Sequence, residues 1–260
     1  MISAAGDFGN LAKDYEIGRQ GYPQQVMAEV ERYIGRDTKC ILDVGCGTGQ
    51  STRLLTKTGC SVIGVDTDAL CLGIAQARGG SNLEYQLASA ENLPFSDAMF
   101  GAVTAFGSFH WWYRFAGALD SVLRVLRENG HFIVVNKDEV GSFGKEMRKI
   151  VSKYCAGSLA DAKRGYDPVK FLSADCRLHV TTTQLPHEEV FTLPQLVAQI
   201  RSMSSWNAIP QARRNEATKA VVDHFSPHLR DGLYTRPLLI RVVTACKKDG
   251  EGMPQNTQGN

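Results

Sequence analysis

Cys40-Ile41-Leu42-Asp43-Val44-Gly45-Cys46-Gly47-Thr48-Gly49 (40–49) is the stretch from which the rest of the chain is read. A short apolar run ends at Gly45, as a strand buried on both faces of a parallel sheet does. Glycines then stand at every second position, and a helical stretch follows from about Gln50 to Thr58, closed by Gly59. A strand, a glycine turn and a helix in this order expose main-chain amides at the helix N-terminus with no side chains in the way. Ligands of open α/β sheets sit at that place, outside the carboxyl ends of the strands.

The same alternation continues outward. Residues 60–66 form a second buried strand, a helix runs from about Ala69 to Arg78, and 82–88 and 100–108 read as the third and fourth strands. Ala116 to Arg127 carries Leu119, Val122, Leu123 and Leu126 at helical spacing. Glu128-Asn129-Gly130 breaks that helix before a fifth strand at 131–137. Strands alternating with crossover helices predict an α/β fold, a Rossmann-like doubly wound sheet, mostly parallel. The flanks add a helix over Pro23 to Ile34, polar helical stretches near 142–157, 194–204 and 211–225, and a strand at 237–246 that rejoins the sheet. The whole reads as about seven strands in one domain, 37–246. A helical cover (1–36) precedes it, a helical insert (about 138–234) follows the fifth strand, and a flexible tail (247–260) ends the chain. The flanks show no core pattern of their own.

Composition narrows the function classes. The chain has 260 residues, with 29 basic against 27 acidic side chains and a net charge of +2. That balance argues against nucleic-acid backbone binding. No apolar run approaches the roughly 20 residues that span a bilayer, so no membrane role is expected. The seven cysteines are scattered without a C-x-x-C pair, which fits reduced thiols in the cytoplasm. His224 and His228 have a metal-ligand spacing, but Pro227 lies between them and no further ligand cluster appears, so no metal is expected.

Asp66 ends the second strand, where a carboxylate accepts both hydroxyls of a ribose. With the glycine turn it describes an adenosine-containing ligand. The dinucleotide fingerprint G-x-G-x-x-G needs its third glycine at position 50, which Gln50 occupies. The acidic Asp43 also disfavours a pyrophosphate and suits a ligand with an ammonium group.

Ile41 to Thr52 resembles the first motif of class I S-adenosylmethionine-dependent methyltransferases. The likeness continues in order through 62–68, 89–95, 100–112 and 124–135. Tyr15 to Pro23 is similar to the entry segment of small-molecule methyltransferases of the trans-aconitate methyltransferase type, as are, more loosely, 201–206 and 235–247. The resemblance implies S-adenosylmethionine as cofactor and methyl transfer to a small molecule, with a carboxylate oxygen favoured over nitrogen or sulfur. It implies that Gly45, Gly47 and Gly49 pass under the methionine part, with Asp43 near its ammonium and Asp66 on the ribose. Ala90 and Glu91 border the adenine, Phe106 and Gly107 line the methionyl side, and Tyr15 and Arg19 reach the carboxylate. Ser89 stands where the family often has an acidic residue, and Gly101 where an Asp is common.

His110 follows the fourth strand on the reaction side and is the candidate base or orienting group; a histidine packed on Trp111 is the competing reading. Trp111 and Trp112 are candidates for an apolar acceptor pocket, against the alternative that they pack their helix on the sheet. Arg19, Arg201 and Arg236 are candidates to pair with a carboxylate acceptor. Outside this class stand a nicotinamide-dependent oxidoreductase and a cofactor-binding protein without catalysis.

Overall fold

Five parallel strands run through the middle of the molecule, and two long antiparallel ones extend the sheet. The computed structural model describes residues 12–155, 157 and 163–248. In chain order the elements are α1 (Ala12–Gly18), α2 (Gln24–Glu31), β1 (Cys40–Val44), α3 (Gln50–Leu55), β2 (Ser61–Asp66), α4 (Ala69–Arg78), β3 (Leu83–Leu87) and β4 (Phe100–Phe106). They continue with α5 (Phe109–Trp112), α6 (Ala118–Val125), β5 (Leu126–Glu139), α7 (Phe143–Ser152) and α8 (Pro168–Ser173). β6 (Leu178–Thr192), α9 (Leu193–Arg201), α10 (Arg214–Phe225) and β7 (Leu233–Lys247) complete the fold.

The sheet order is β3-β2-β1-β4-β5-β7-β6, with β7 antiparallel to both β5 and β6. The order reverses between β1 and β4, so the turn after β1 opens into the crevice where two neighbouring crossovers diverge. β4 is buried at every position, as a central parallel strand requires. One apolar layer, including Phe100, Phe109, Val122 and Phe132, covers one face of the sheet. Val26, Val30, Leu55 and Ile133 belong to the layer on the other.

The anticipated elements are present with shorter ends. The helix at 50–58 stops at Leu55 and finishes as a single 3-10 turn over Thr56–Thr58. The helix at 23–34 is trimmed to Gln24–Glu31, with Pro23 outside it at the N-cap. The break at 128–130 lies inside β5, where the register jumps from Phe100–Leu126 to Ala102–His131 and Asn129 takes φ 58°.

Two expectations are corrected in the second half. Residues 178–192, assigned to the helical insert, form an edge strand of 15 residues; its threonines and glutamates mask the strand because its outer face is wet. The insert also has its own apolar cluster, where α7, α9 and α10 bring Phe143, Leu196 and Phe225 together with Trp206 from the 3-10 turn Ser204–Ala208. Each of these helices contributes one narrow apolar stripe on a polar surface, too sparse to stand out before the stripes meet. The tail from 249 onward lies outside the described residues.

Candidate cofactor and acceptor site

Gly45, Gly47 and Gly49 take φ of 71°, 55° and 75°, a left-handed backbone that costs any residue with a Cβ. Their surroundings separate them. A Cβ on Gly45 would come within 2.5 Å of Ser108 Cβ, and one on Gly49 within 2.1 Å of the Tyr85 hydroxyl. At Gly47 nothing lies within 4 Å. The outer two glycines therefore seat the turn on its neighbours, and the middle one leaves open space. Cys46 is buried, with its Sγ 3.0 Å from the position a Cβ on Gly64 would take, and fills the gap beneath the turn. Burial holds its thiol well above the usual range, so it is no ready nucleophile.

The two acidic residues flanking the turn are held differently. Asp43 is fully buried and accepts hydrogen bonds from the hydroxyls of Thr52 (2.8 Å), Thr104 (2.8 Å) and Ser51 (3.2 Å). Burial pushes its carboxyl up to about 6, against the pull of those hydroxyls. Asp43 thus buttresses the turn from below through the hydroxyls that it holds. Asp66 is only partly covered. Its Oδ2 accepts the Gly47 N–H at 2.7 Å and its Oδ1 accepts the Asp68 N–H at 2.9 Å. Each oxygen keeps acceptor capacity for a further donor. Burial raises its carboxyl too, opposed by these two backbone bonds.

The N-terminal cover closes over this crevice through α1. Glu16 accepts a hydrogen bond from Thr48 in the turn and pairs with Arg78 at the end of α4. Tyr15 lies beneath the Arg19 guanidinium, 5.2 Å from ring centroid to Cζ, and burial pushes its hydroxyl upward. Arg19 Nε donates to Ser202 Oγ at 3.0 Å. Gly18 crosses α9 backbone to backbone, since a Cβ there would meet Gln199 N at 2.1 Å. Tyr22 stands edge-on to Phe106 with centroids 4.9 Å apart, beside Gly107. Ala90 is buried and Glu91 exposed, next to a bridge between Ser89 and Asn92.

Residues that sequence reasoning did not single out join the cover to the sheet. Lys137, at the carboxyl end of β5, donates to Gln20 O (2.6 Å), Gly21 O (3.0 Å) and Glu189 (2.7 Å). Arg236 pairs with Glu189 at 3.0 Å and with Glu139. Glu189 is 2% exposed and Arg236 7%, so this is a buried network in which one carboxylate serves two cations. Arg236 is therefore committed internally, and Arg201 pairs with Asp14 at 3.0 Å; neither is held in reserve for an acceptor. Lys137 carried one signal, its position at a strand's carboxyl end; Glu189 carried none.

On the acceptor side, α5 sorts its aromatics by helical spacing. Phe109 and Trp112, three apart, share the inward face with centroids 4.7 Å apart. Trp112 is 6% exposed, so of the two proposed pocket tryptophans it is a core residue, whereas Trp111 is half-buried. His110 packs against Trp111 (4.9 Å) and Tyr166 (5.8 Å), and its Nδ1 is buried without a partner. Burial, then the charges of Lys163 and Arg19, push the imidazole down to about 3. It is neutral near pH 7 and a weak base, suited to hydrogen bonding rather than to taking a proton outright. Tyr166 hydrogen-bonds Asn136 at 3.2 Å. Among the described residues no group of three His, Cys, Asp or Glu converges as a metal site.

Residues 42–134, from the heart of β1 into β5, match the model of a methyltransferase domain. That segment of the chain is thus similar to a methyltransferase domain. An uncharacterized methyltransferase of Mycobacterium tuberculosis is 30% identical over 148 residues, 56% of this chain and 59% of the relative. The demethylmenaquinone methyltransferase of Tropheryma whipplei is 31% identical over 122 residues, 46% of this chain and 51% of that one. The chain thus spans about half to three fifths of the length of these curated relatives. Among solved structures, a putative type II methyltransferase of Anaeromyxobacter dehalogenans superposes with a TM-score of 0.63 at 16% identity, over 88% of this chain and 97% of that one. Phosphoethanolamine N-methyltransferase 2 of Haemonchus contortus, solved with S-adenosyl-L-methionine, gives 0.55 at 14% identity, over 93% and 57%. At such identities the likeness is one of fold. The [4+2]-cyclase SpnF also shares it, with a TM-score of 0.51 at 20% identity and coverage of 90% of this chain and 85% of that one.

Proposed function

We propose that this methyltransferase binds S-adenosylmethionine in the crevice after β1 and transfers its methyl group to a small-molecule acceptor. The observation that carries the reading is the pairing of Gly47 and Asp66. The one glycine of the turn with open space above it donates its N–H to a partly buried carboxylate with acceptor capacity left over. A ribose with two hydroxyls fits that carboxylate, and the buried Asp43 behind the turn favours a cationic ligand. When bound, the cofactor supplies a methyl group on a sulfonium whose departure leaves a neutral thioether.

The chain's own part is alignment and exclusion of water. In-line displacement gains most from holding the two reacting atoms together, an effect worth about 10⁵ M or more in effective concentration. Tyr15, Arg19 and Tyr22 close the crevice from the cover, and Phe106 and Gly107 border its methionyl side. Ala90 and Glu91 flank the adenine, with Ser89 in place of an acidic contact.

A carboxylate acceptor is the finer reading. Arg19 and Lys163 both bear electrostatically on His110, whose Nδ1 is buried without a partner. A carboxylate bound there relieves the repulsion between the cations and is already ionised, so it needs no strong base. A neutral His110 then orients it. Amine and thiol acceptors remain the competing reading, since they need a proton removed and His110 is a poor base. The seven free cysteines support residence in the cytoplasm; no helix of the described residues is long and apolar enough to cross a membrane. The partner in this reading is a small molecule, and a net charge of only +2 does not favour nucleic acid.

The test is turnover with S-adenosylmethionine over a panel of small carboxylates, amines and thiols, followed by mass spectrometry for the added methyl group. Methyl esters as the main product support the carboxylate reading. Methylated amines or thiols overturn it while leaving methyl transfer intact, and no product beyond the solvent rate removes the enzymatic reading itself.

A further inference from the structure

The cover is fastened at two places of unequal strength. Behind α1, Lys137 donates to the carbonyls of Gln20 and Gly21 while sharing Glu189 with Arg236, and Gln20 Nε2 donates to Val190 O. α1 itself is laid on the insert. Gly18 lies backbone to backbone on Gln199 of α9, Arg19 Nε donates to Ser202 Oγ at 3.0 Å, and Asp14 pairs with Arg201 at 3.0 Å. α9 shares the apolar cluster of α7 and α10, so α1 packs as part of the insert although the sheet core lies between them in sequence.

Toward the cofactor half, Glu16 makes the crossing. It accepts the Thr48 hydroxyl of the glycine turn and pairs with Arg78, the last residue of α4. Thr48 adjoins Gly47, and α4 follows Asp66, so the two partners of Glu16 belong to the elements on either side of the open glycine and its carboxylate. Burial raises the Tyr15 hydroxyl, with Asp66 among the charges that add to it, which sets α1 across this end of the crevice. The Arg78 side chain is 46% exposed, and an ion pair with so wet a partner is weak and screened by salt. The joint at Lys137 centres instead on Glu189, which is buried, and is screened far less. The weak fastening thus lies over the crevice and the strong one behind it.

We propose that Glu16 is the clasp of a gate: α1, carried on α9, opens and closes over the crevice with the Lys137 joint as its fixed end, and the cofactor enters and leaves only while Glu16 is released from Thr48 and Arg78. The inference rests on the S-adenosylmethionine reading above and adds to it a control on exchange. One opening serves both entry and exit, so loosening the clasp speeds both and leaves their ratio, the affinity, in place. Release of the spent cofactor then waits on the clasp as well as on the contacts that hold the ligand.

Surface plasmon resonance of the immobilised full chain with S-adenosylhomocysteine reads both rates. Glu16→Ala should raise the association and dissociation rate constants together by about tenfold, the scale of a lost hydrogen bond to a charged group, with Kd changed by less than about twofold. Arg78→Met, which leaves Glu16 on Thr48, should raise both by a smaller factor, and high salt should move the wild type toward that variant. Faster dissociation with association unchanged would make Glu16 a contact of the ligand and overturn the gate. Rates that move in neither variant overturn it as well. Should Glu16→Ala fail to fold, Arg78→Met decides by the same criterion, since its half-exposed side chain is no part of the core. A wild-type chain that binds no S-adenosylhomocysteine removes the cofactor reading, and the gate with it, whereas wild-type binding with unaltered rates in the variants removes the gate alone.

Discussion

The turn after β1 and the network at the end of β5 both bury acidic groups, and they satisfy them in opposite ways. In the turn, Asp43 is held by hydroxyls and Asp66 by two backbone N–H groups, neutral donors that leave Asp66 capacity to spare. In the network, Glu189 is held by the full charges of Lys137 and Arg236, and Lys137 spends its remaining donors on the carbonyls of Gln20 and Gly21. The first arrangement is left open toward a ligand, while the second is closed on itself and ties the cover to the sheet. Neutral partners suit a carboxylate that must change partners, and ionic ones suit a joint that must not.

Breaking the joint should cost the most. Glu189→Ala takes the shared carboxylate from the partly buried Lys137 and from the buried Arg236, which keeps only Glu139, and loss of one partner from a buried pair is worth about 3–5 kcal/mol. Urea unfolding should show a loss of that size. A loss below about 1 kcal/mol, the level of exposed pairs, would make the network ornamental.

The glycines sharpen the comparison inside the turn itself. Gly49→Ala should destabilise the fold, because the strained φ and the Tyr85 hydroxyl both oppose a Cβ. Gly47→Ala carries only the backbone cost, about 1–2 kcal/mol, and should show its main effect in weaker cofactor binding. Thermal melts and calorimetry on the pair check this, and equal unfolding losses for the two would contradict the division of roles.

Asp66→Ala should weaken S-adenosylmethionine by tenfold or more, since hydrogen bonds to a charged group are worth about 1.5–3 kcal/mol each. It should perturb unfolding far less than Glu189→Ala. Calorimetry together with urea titration reads both quantities.

The smallest effects are in the pH dependence. Asp43 has a folded-state pKa of about 6, above the ordinary carboxylate value of about 4, so its stabilising contribution is full at low pH and is lost as pH rises through 6. His110, pushed down to about 3, behaves oppositely: its contribution is full above about 6.5 and is lost as pH falls. Between pH 7 and pH 5 the two therefore oppose each other. Relative to wild type, the gain in stability at pH 5 over pH 7 should shrink in Asp43→Asn and grow in His110→Phe. Denaturation at both pH values measures the differences, and an unchanged difference in either variant would remove that residue from the account.

Most of the sheet was legible because its information is local. Each parallel strand is a short apolar run, each crossover helix follows within a few residues, and Gly45 to Gly49 advertise a turn that only glycines tolerate. The antiparallel extension was harder. β7 is apolar enough to read, whereas β6 sits at an edge and is masked by its polar outer face. The site divides along the same line. Asp43, Asp66 and the glycines stand at strand ends, where position implies role, but whether a carboxylate is exposed or buttressed depends on Thr52 and Thr104 arriving from other elements. Trp111 and Trp112 are adjacent in sequence but half-buried and buried respectively, a distinction set by which face of α5 meets Phe132. Glu189 gains meaning only when Lys137 and Arg236, both distant along the chain, close on it.

The central claim is that the open glycine and its carboxylate partner hold S-adenosylmethionine and not a dinucleotide. Isothermal titration of the wild-type chain with S-adenosylmethionine and with NAD tests it most directly. Saturable binding of S-adenosylmethionine at one site per chain, with no heat from NAD beyond dilution, is the predicted result. Binding of NAD in place of S-adenosylmethionine would contradict it.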